Sequence, residues 1–311
     1  MNGVRRGGRW PAEARFVEFP SAGAILRGRL YGHAGAGRRP TVVMTHGLSA
    51  TITGMVADRY AEVIAAAGLN VLLYDHRGFG LSGGEPRQVL NRWTQALGYH
   101  DALDFVTTLP TVDPTRLAIW GDSMSGAVAL GVAAFDDRVR AVVVQVPACG
   151  SEPPPDDPDG AAFTTLRSAY RRGGPGTRGS VIGPMAVVSP DQLGSPSLLS
   201  PITAFRWFID HGGRPGTGWL NWATVEVPDG PVPFHPGLCT PHLQGPSMWT
   251  IADDDEMPGA EPGIAHRAFE TAPLPRELLR IDGGHFGLLY HPSPLFDRVS
   301  ASQADFLLRH L

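Results

Sequence analysis

One serine in this chain stands where a hydroxyl could be driven onto a carbonyl. Residues 116–126 read RLAIWGDSMSG, an apolar run that passes directly into Gly121-Asp122-Ser123-Met124-Ser125-Gly126 and then into the helical run AVALGVAA. Strand, sharp turn and helix in that order form the setting of a nucleophile elbow, with the serine held on a strained turn. Its flanks must be small, because side chains there would run into the strand and the helix. Gly121 meets that requirement, while Ser125 takes the fifth position of the usual G-x-S-x-G pattern and Gly126 follows it. Serine between small residues also caps many ordinary helices, so the reading depends on partners elsewhere.

A serine hydroxyl is a weak nucleophile at neutral pH; it needs a base, and the base needs a third group to fix its tautomer. Behind such an elbow the acid comes first in the chain and the histidine last. His285, in RIDGGHFG, is the candidate base, because Gly283 and Gly284 allow a tight loop to carry its ring over the sheet edge. IADDDEMP offers Asp253, Asp254, Asp255 and Glu256. Asp255 is taken as the acid and Asp254 as the alternative, which spacing alone does not separate; the other acidic residues read as solvated loop charges. The oxyanion of an acyl-transfer intermediate needs two preorganised donors, expected from the amides of Met124 and of Leu48 in THGLSA. His46 reads as shaping the Leu48 turn rather than as a second base, and His291 as the decoy histidine. The glycine-rich run YDHRGFGLSGG (74–84) is not followed at once by a helix and has no P-loop lysine, which argues against nucleotide binding. Asp75 and Arg77 read as braces within it.

The elements needed to position these groups are legible as alternating patterns. Residues 14–20 and 24–33 alternate apolar and polar positions and predict a half-exposed hairpin. The runs at 41–47, 70–76, 116–120, 138–147, 247–252 and 277–283 predict buried strands. Helical patterns at about 55–67, 91–108, after Ser123, near 261–271 and near 294–310 fall between and after them. That order predicts an α/β fold: a doubly wound, mostly parallel sheet with helices on both faces, built from 1–149 and 246–311. The stretch 150–245 breaks the rhythm. It is rich in proline and glycine, contains one evident helix at 202–210, and reads as an inserted cap or lid. Phe205, Trp207, Phe208, Trp219 and Trp222 within it are too many aromatics for a disordered segment, and are candidates for the substrate pocket or for gluing the lid to the core.

Bulk properties exclude several classes. A chain of 311 residues with 42% hydrophobic content can bury a large core. With 26 basic and 30 acidic residues and no long run of one sign, it presents no footprint for nucleic acid or an anionic membrane surface. Its two cysteines, Cys149 and Cys239, lie outside any metal-ligand spacing and predict reduced structural thiols, with neither a disulfide framework nor a zinc site. MNGVRRGGRW leads into no apolar segment, no stretch of eighteen apolar residues occurs, and a cytoplasmic location is the resulting expectation. No repeat of 20 to 50 residues is present, and nothing in the sequence specifies an oligomeric state.

Taken together, THGLSA, YDHRGFGLSGG, GDSMSG, ADDDEMP and GGHFG resemble the α/β-hydrolase superfamily, over essentially the whole chain outside 150–245. The similarity is greatest to its dienelactone-hydrolase-like and X-Pro-dipeptidyl-peptidase-like branch, which includes bacterial esterases and fungal polyketide acyltransferase-like proteins. The resemblance implies a Ser-Asp-His triad, no metal or organic cofactor, and a lid over the pocket. It also favours Asp255, since related sequences carry an A-x-x-D segment followed by proline, matching Ala252, Asp255 and Pro258. The expected activity is cleavage of a carboxylic ester, thioester or lactone in a small acyl substrate, through an acyl-enzyme on Ser123. An acyltransferase or cyclase using the same residues is the first alternative, and a non-catalytic ligand-binding protein on the same fold the second. A dehalogenase would want aspartate where Ser123 stands.

Overall fold

A computed structural model describes residues 13–32, 37–177 and 179–311; the readings made on 1–12 and on residue 33 lie outside the described residues. The chain opens with β1 (Glu13–Ser21) and β2 (Ala24–Gly32), an antiparallel pair joined at Ala22 and Gly23. Both joining residues have positive φ, 48° and 74°, which matches the twist of a two-residue hairpin turn. There follow β3 (Arg39–Thr45), α1 (Ala57–Ala66), β4 (Asn70–Tyr74), a two-residue β5 (Val89–Leu90), α2 (Arg92–Thr107), β6 (Val112–Asp122), α3 (Ser123–Phe135) and β7 (Val139–Gln145). The remaining elements are α4 (Ala161–Arg171), β8 (Ser180–Val188), β9 (Ser197–Leu199), α5 (Ile202–His211), β10 (Ala223–Val227), α6 (Pro236–Cys239), β11 (Ser247–Ala252), α7 (Pro262–Thr271), β12 (Arg276–Ile281) and α8 (Pro294–His310).

Eight strands form the main sheet in the order β1-β2-β4-β3-β6-β7-β11-β12. Pairing is parallel from β4 through β12, and antiparallel only at β1–β2 and β2–β4. The central strands are buried on both faces, hence their continuous β-branched and apolar runs, such as the fully buried NVLLY of β4. Tyr60 and Ile64 of α1 and Phe296 and Phe306 of α8 fill the core on one face. On the other, Tyr99 and Leu103 of α2, Val128 and Leu130 of α3 and Ile264 of α7 do the same. The chain winds outward in both directions from β3, first to β4 and then back to β6. A crevice opens beyond the carboxyl ends of strands at such a reversal. THGLSA follows β3 and Ser123 follows β6, so the topology alone brings those two segments together.

The segment 150–245 is more structured than its composition suggests. It holds α4 as well as α5, and β8, β9 and β10 form a second, four-stranded sheet with β5 in the order β5-β10-β8-β9. Gly183-Pro184 hides β8 from sequence reading, because proline cannot donate to a central ladder. The register between β8 and β10 shifts at that point, and the irregularity accommodates it. Likewise α4 lies between PPPDDPDG and GGPG, yet the Asp157 carboxylate accepts the amides of Ala162 and Phe163 and starts the helix (2.9 and 3.0 Å). Phe163 of α4 stacks on Phe135 of α3, whereas Trp207 and Phe208 of α5 pack on Phe286 beside His285. Cys149 and Cys239 are free and buried, and burial pushes the Cys149 thiol up to about 12. Among the described residues no helix is long and apolar enough to cross a membrane.

Candidate active site

β6 ends at Asp122 and α3 begins at Ser123, whose φ of 50° places a non-glycine residue in the left-handed region. Such a conformation persists only where the surroundings enforce it. Gly121 is one enforcer: a Cβ there would stand 2.4 Å from the Ser125 carbonyl oxygen. Gly47 is another. A Cβ on it would come within 3.1 Å of the Ser123 Cβ, a tight contact, so the lack of a side chain at Gly47 helps the loop after β3 lie close against the serine.

Past β11 and β12 the chain supplies the partners of Ser123. His285 Nε2 lies 2.9 Å from Ser123 Oγ, and its Nδ1 lies 2.7 Å from Asp255 Oδ2, with the His285 and Asp255 side chains almost wholly buried. With Nδ1–H donating to the carboxylate, Nε2 is left as acceptor for the serine hydroxyl. The acidic run divides its labour. Asp254 accepts the amides of Gly283 and Gly284 (3.1 and 2.9 Å), Glu256 accepts the amide of His285 (2.9 Å) and the Thr203 hydroxyl, and Asp253 meets His266 and Arg280 (2.9 and 2.8 Å). Asp253 and Glu256 are exposed, as expected of loop charges, and so is Asp254, the alternative acid; yet Asp254 and Glu256 also clamp the backbone of the histidine loop. The run lies at the end of β11 alongside β12, so its carboxylates meet amides that a sequence read as a line places thirty residues away.

Ser125, the departure from the elbow pattern, is buried and used. Its hydroxyl donates to the His46 carbonyl, and it must therefore accept from His76 Nε2, 2.8 Å away. Burial and the neighbouring His46 hold the His76 pKa well below the ordinary histidine value, which keeps its ring neutral. His46 itself faces the Gly47 carbonyl (2.9 Å) and Asp75 (3.3 Å), and Asp75 accepts the amides of Ile52 and Leu81 (2.9 and 2.8 Å). Arg77 donates to the Glu85 carbonyl at 2.7 Å. Residues 78–83 do spell G-x-G-x-x-G, but they form a turn-rich loop whose next element is the two-residue β5. His291 is exposed and packs on Phe296.

A cavity of about 120 Å³ opens at Ser123. Gly47, Leu48, Met124 and His285 line it with the serine, while Leu199, Trp207, Phe208, Met257 and Phe286 make its walls apolar. Met124 lies in the first turn of α3, where amides lack intrahelical acceptors. Of the candidate pocket aromatics, Trp207 lines this cavity, as does Phe208. Phe205, Trp219 and Trp222 are not among its lining residues: Phe205 packs on the core, Trp219 leans on Phe208 with ring centroids 5.4 Å apart, and Trp222 is exposed. One helical turn decides which aromatics of α5 face inward, and the sequence does not show where the helix docks. Asp122 also lines the cavity, and burial raises its carboxyl to about 6 against the opposing pull of His46 and His285. Its Oδ1 has no hydrogen-bond partner. Arg92 is a further lining residue that the motifs did not point to.

Residues 36–177 match the family described as "Serine aminopeptidase, S33". The quorum-quenching protein AidA of Acinetobacter baumannii is 28% identical over 309 residues, covering 94% of each chain. The α/β hydrolase GrgF of a Penicillium species superposes with a TM-score of 0.70 at 25% identity, covering 96% of this chain and 99% of that one. The chain shares the α/β-hydrolase fold. Fungal relatives match a shorter stretch at higher identity. Thiohydrolase aneE of Aspergillus aculeatus is 42% identical over 132 residues, 42% of this chain and 41% of the relative. A Penicillium relative named polyketide transferase grgF is 36% identical over 141 residues, 45% and 47% of the two chains. The matched stretch thus spans less than half the length of these two relatives.

Proposed function

We propose that this α/β hydrolase cleaves a carboxylic ester, thioester or lactone through an acyl-enzyme on Ser123. The observation that carries the reading is the continuous hydrogen-bonded chain from Ser123 Oγ through His285 to Asp255, at 2.9 and 2.7 Å, ending in a cavity. His285 takes the serine proton as Oγ attacks, Asp255 stabilises the imidazolium, and the amides of Leu48 and Met124 hold the oxyanion. Proton return from His285 expels the alcohol or thiol, and a water activated by His285 then releases the acid. We read 150–245 as a lid, because Leu199, Trp207 and Phe208 bring apolar walls from it to the nucleophile. The two free buried cysteines suit a reducing cytoplasm. The substrate is read as a small acyl compound, with no cofactor in the chemistry.

The test is intact-mass labelling with a fluorophosphonate. One adduct on the wild type and none on Ser123→Ala is the expected result; a folded wild type that takes up no label overturns the reading. A second reading, acyl transfer to an alcohol or amine, is favoured by those apolar walls, which disfavour water, and by the relative named a polyketide transferase. Ester or amide product formed on adding such an acceptor distinguishes it.

A further inference from the structure

The cavity beside Ser123 contains a charge that the proposed mechanism does not use. Arg92 is the first residue of α2 and lines the same cavity as Ser123, Met124 and His285. Two effects oppose a cation there. Burial pushes the guanidinium pKa down, and the start of a helix is the positive end of its dipole. Arg116, Arg138, Arg280 and Arg309 each pair with a carboxylate, but among the described residues none lies within ion-pair distance of Arg92. Its hydrogen bond is one from Nη1 to the Phe234 carbonyl at 3.3 Å, which leaves Nε and Nη2 without a protein acceptor among the described residues. A tie to a single carbonyl needs no permanent charge; glutamine would serve without the desolvation.

We infer that Arg92 is an anion-binding group for the substrate, so that the acyl compound turned over at Ser123 carries a carboxylate near its reacting carbonyl. The inference rests on Ser123 being the nucleophile. A guanidinium presents a planar fork of donors that a carboxylate fills with two parallel bonds. Leu199, Trp207, Phe208 and Met257 line the same cavity with apolar surface, and low local polarity strengthens such a pair. The half-thioester of a four-carbon diacid carries a thioester carbonyl and a carboxylate in one small molecule and serves as the probe.

The test compares three thioesters: butyryl and succinyl thioesters of a neutral thiol, and the butyryl thioester of mercaptopropionate, which moves the carboxylate to the leaving group. Wild type should prefer one of the two charged substrates over the neutral one by roughly 10- to 100-fold in kcat/KM, the range of one charge-assisted contact. Which of them is preferred tells whether the carboxylate belongs to the acyl chain or to the thiol. In Arg92→Met the ratio of charged to neutral kcat/KM should fall to about one or below, and in Arg92→Lys it should be partly retained. Equal use of all three by the wild type overturns the inference, as does a ratio that survives in Arg92→Met. Fluorophosphonate labelling of Ser123, run on each protein, reports the nucleophile separately. An unlabelled wild type refutes the hydrolase reading, whereas a labelled wild type without charge preference refutes only the role of Arg92.

Discussion

Asp122 is buried one residue before the nucleophile with an oxygen that meets no partner, and replacing it with asparagine should stabilise the protein in a way that depends on pH. Its carboxyl titrates at about 6 instead of 3.8 because ionisation costs more in the buried site than His46 and His285 return. A carboxyl held above its unfolded value binds protons more tightly in the native state, so stability falls as pH rises from 3.8 through 6. At about 1.4 kcal/mol for each tenfold change in proton affinity, the loss is complete above pH 6 at roughly 3 kcal/mol; near pH 4.5 it is only about 1 kcal/mol. Asparagine keeps the size and an acceptor oxygen but has no charge to bury. For a chain of this length, Asp122→Asn should raise Tm by roughly 4–5 °C at pH 7.5 and by about 1–2 °C at pH 4.5. Calorimetric scans of both proteins at the two pH values measure this. An equal shift at both, or a lower Tm for the variant at pH 7.5, would refute the account of Asp122 as an uncompensated buried acid.

Three further substitutions probe the serine and the loops around it. Asp255→Asn should lower kcat by roughly 10³- to 10⁴-fold by favouring the wrong tautomer of His285. Asp254→Asn, which still offers an oxygen to Gly283 and Gly284, should lose less than about tenfold; steady-state rates on a simple aryl ester decide between the two. Ser125→Ala removes the hydroxyl that joins the His46 carbonyl to His76, leaving two buried polar groups unmade at about 1–3 kcal/mol. A denaturant midpoint unchanged from the wild type would show that this hydroxyl ties nothing down.

The main sheet was legible because its signals are local. Continuous apolar runs at β3, β4, β6, β7 and β11, separated by helical periodicity, specify buried parallel strands whatever the rest of the chain does. Ser123 and His285 were singled out for the same reason, since an elbow and a glycine-led loop are properties of six or seven consecutive residues. The second sheet was not: β5 is two residues long, β8 contains a proline, and each becomes a strand only through partners distant in sequence.

Within the site, the sequence determined which residue types could do the chemistry, and the tertiary structure decided which of them meet. Asp253, Asp254, Asp255 and Glu256 form one acidic string; their different partners follow from the directions in which four successive side chains leave the end of β11, Asp253 toward α7 and β12 and the other three toward the loop after β12. Trp207 and Trp219 are equally aromatic, but only the first faces the cavity. Arg92 carries no motif at all, and its candidacy comes from a helix start placed by packing beside the serine. Composition and periodicity act over a few residues, whereas these choices depend on how separate elements dock, and that is settled by burial across the whole core.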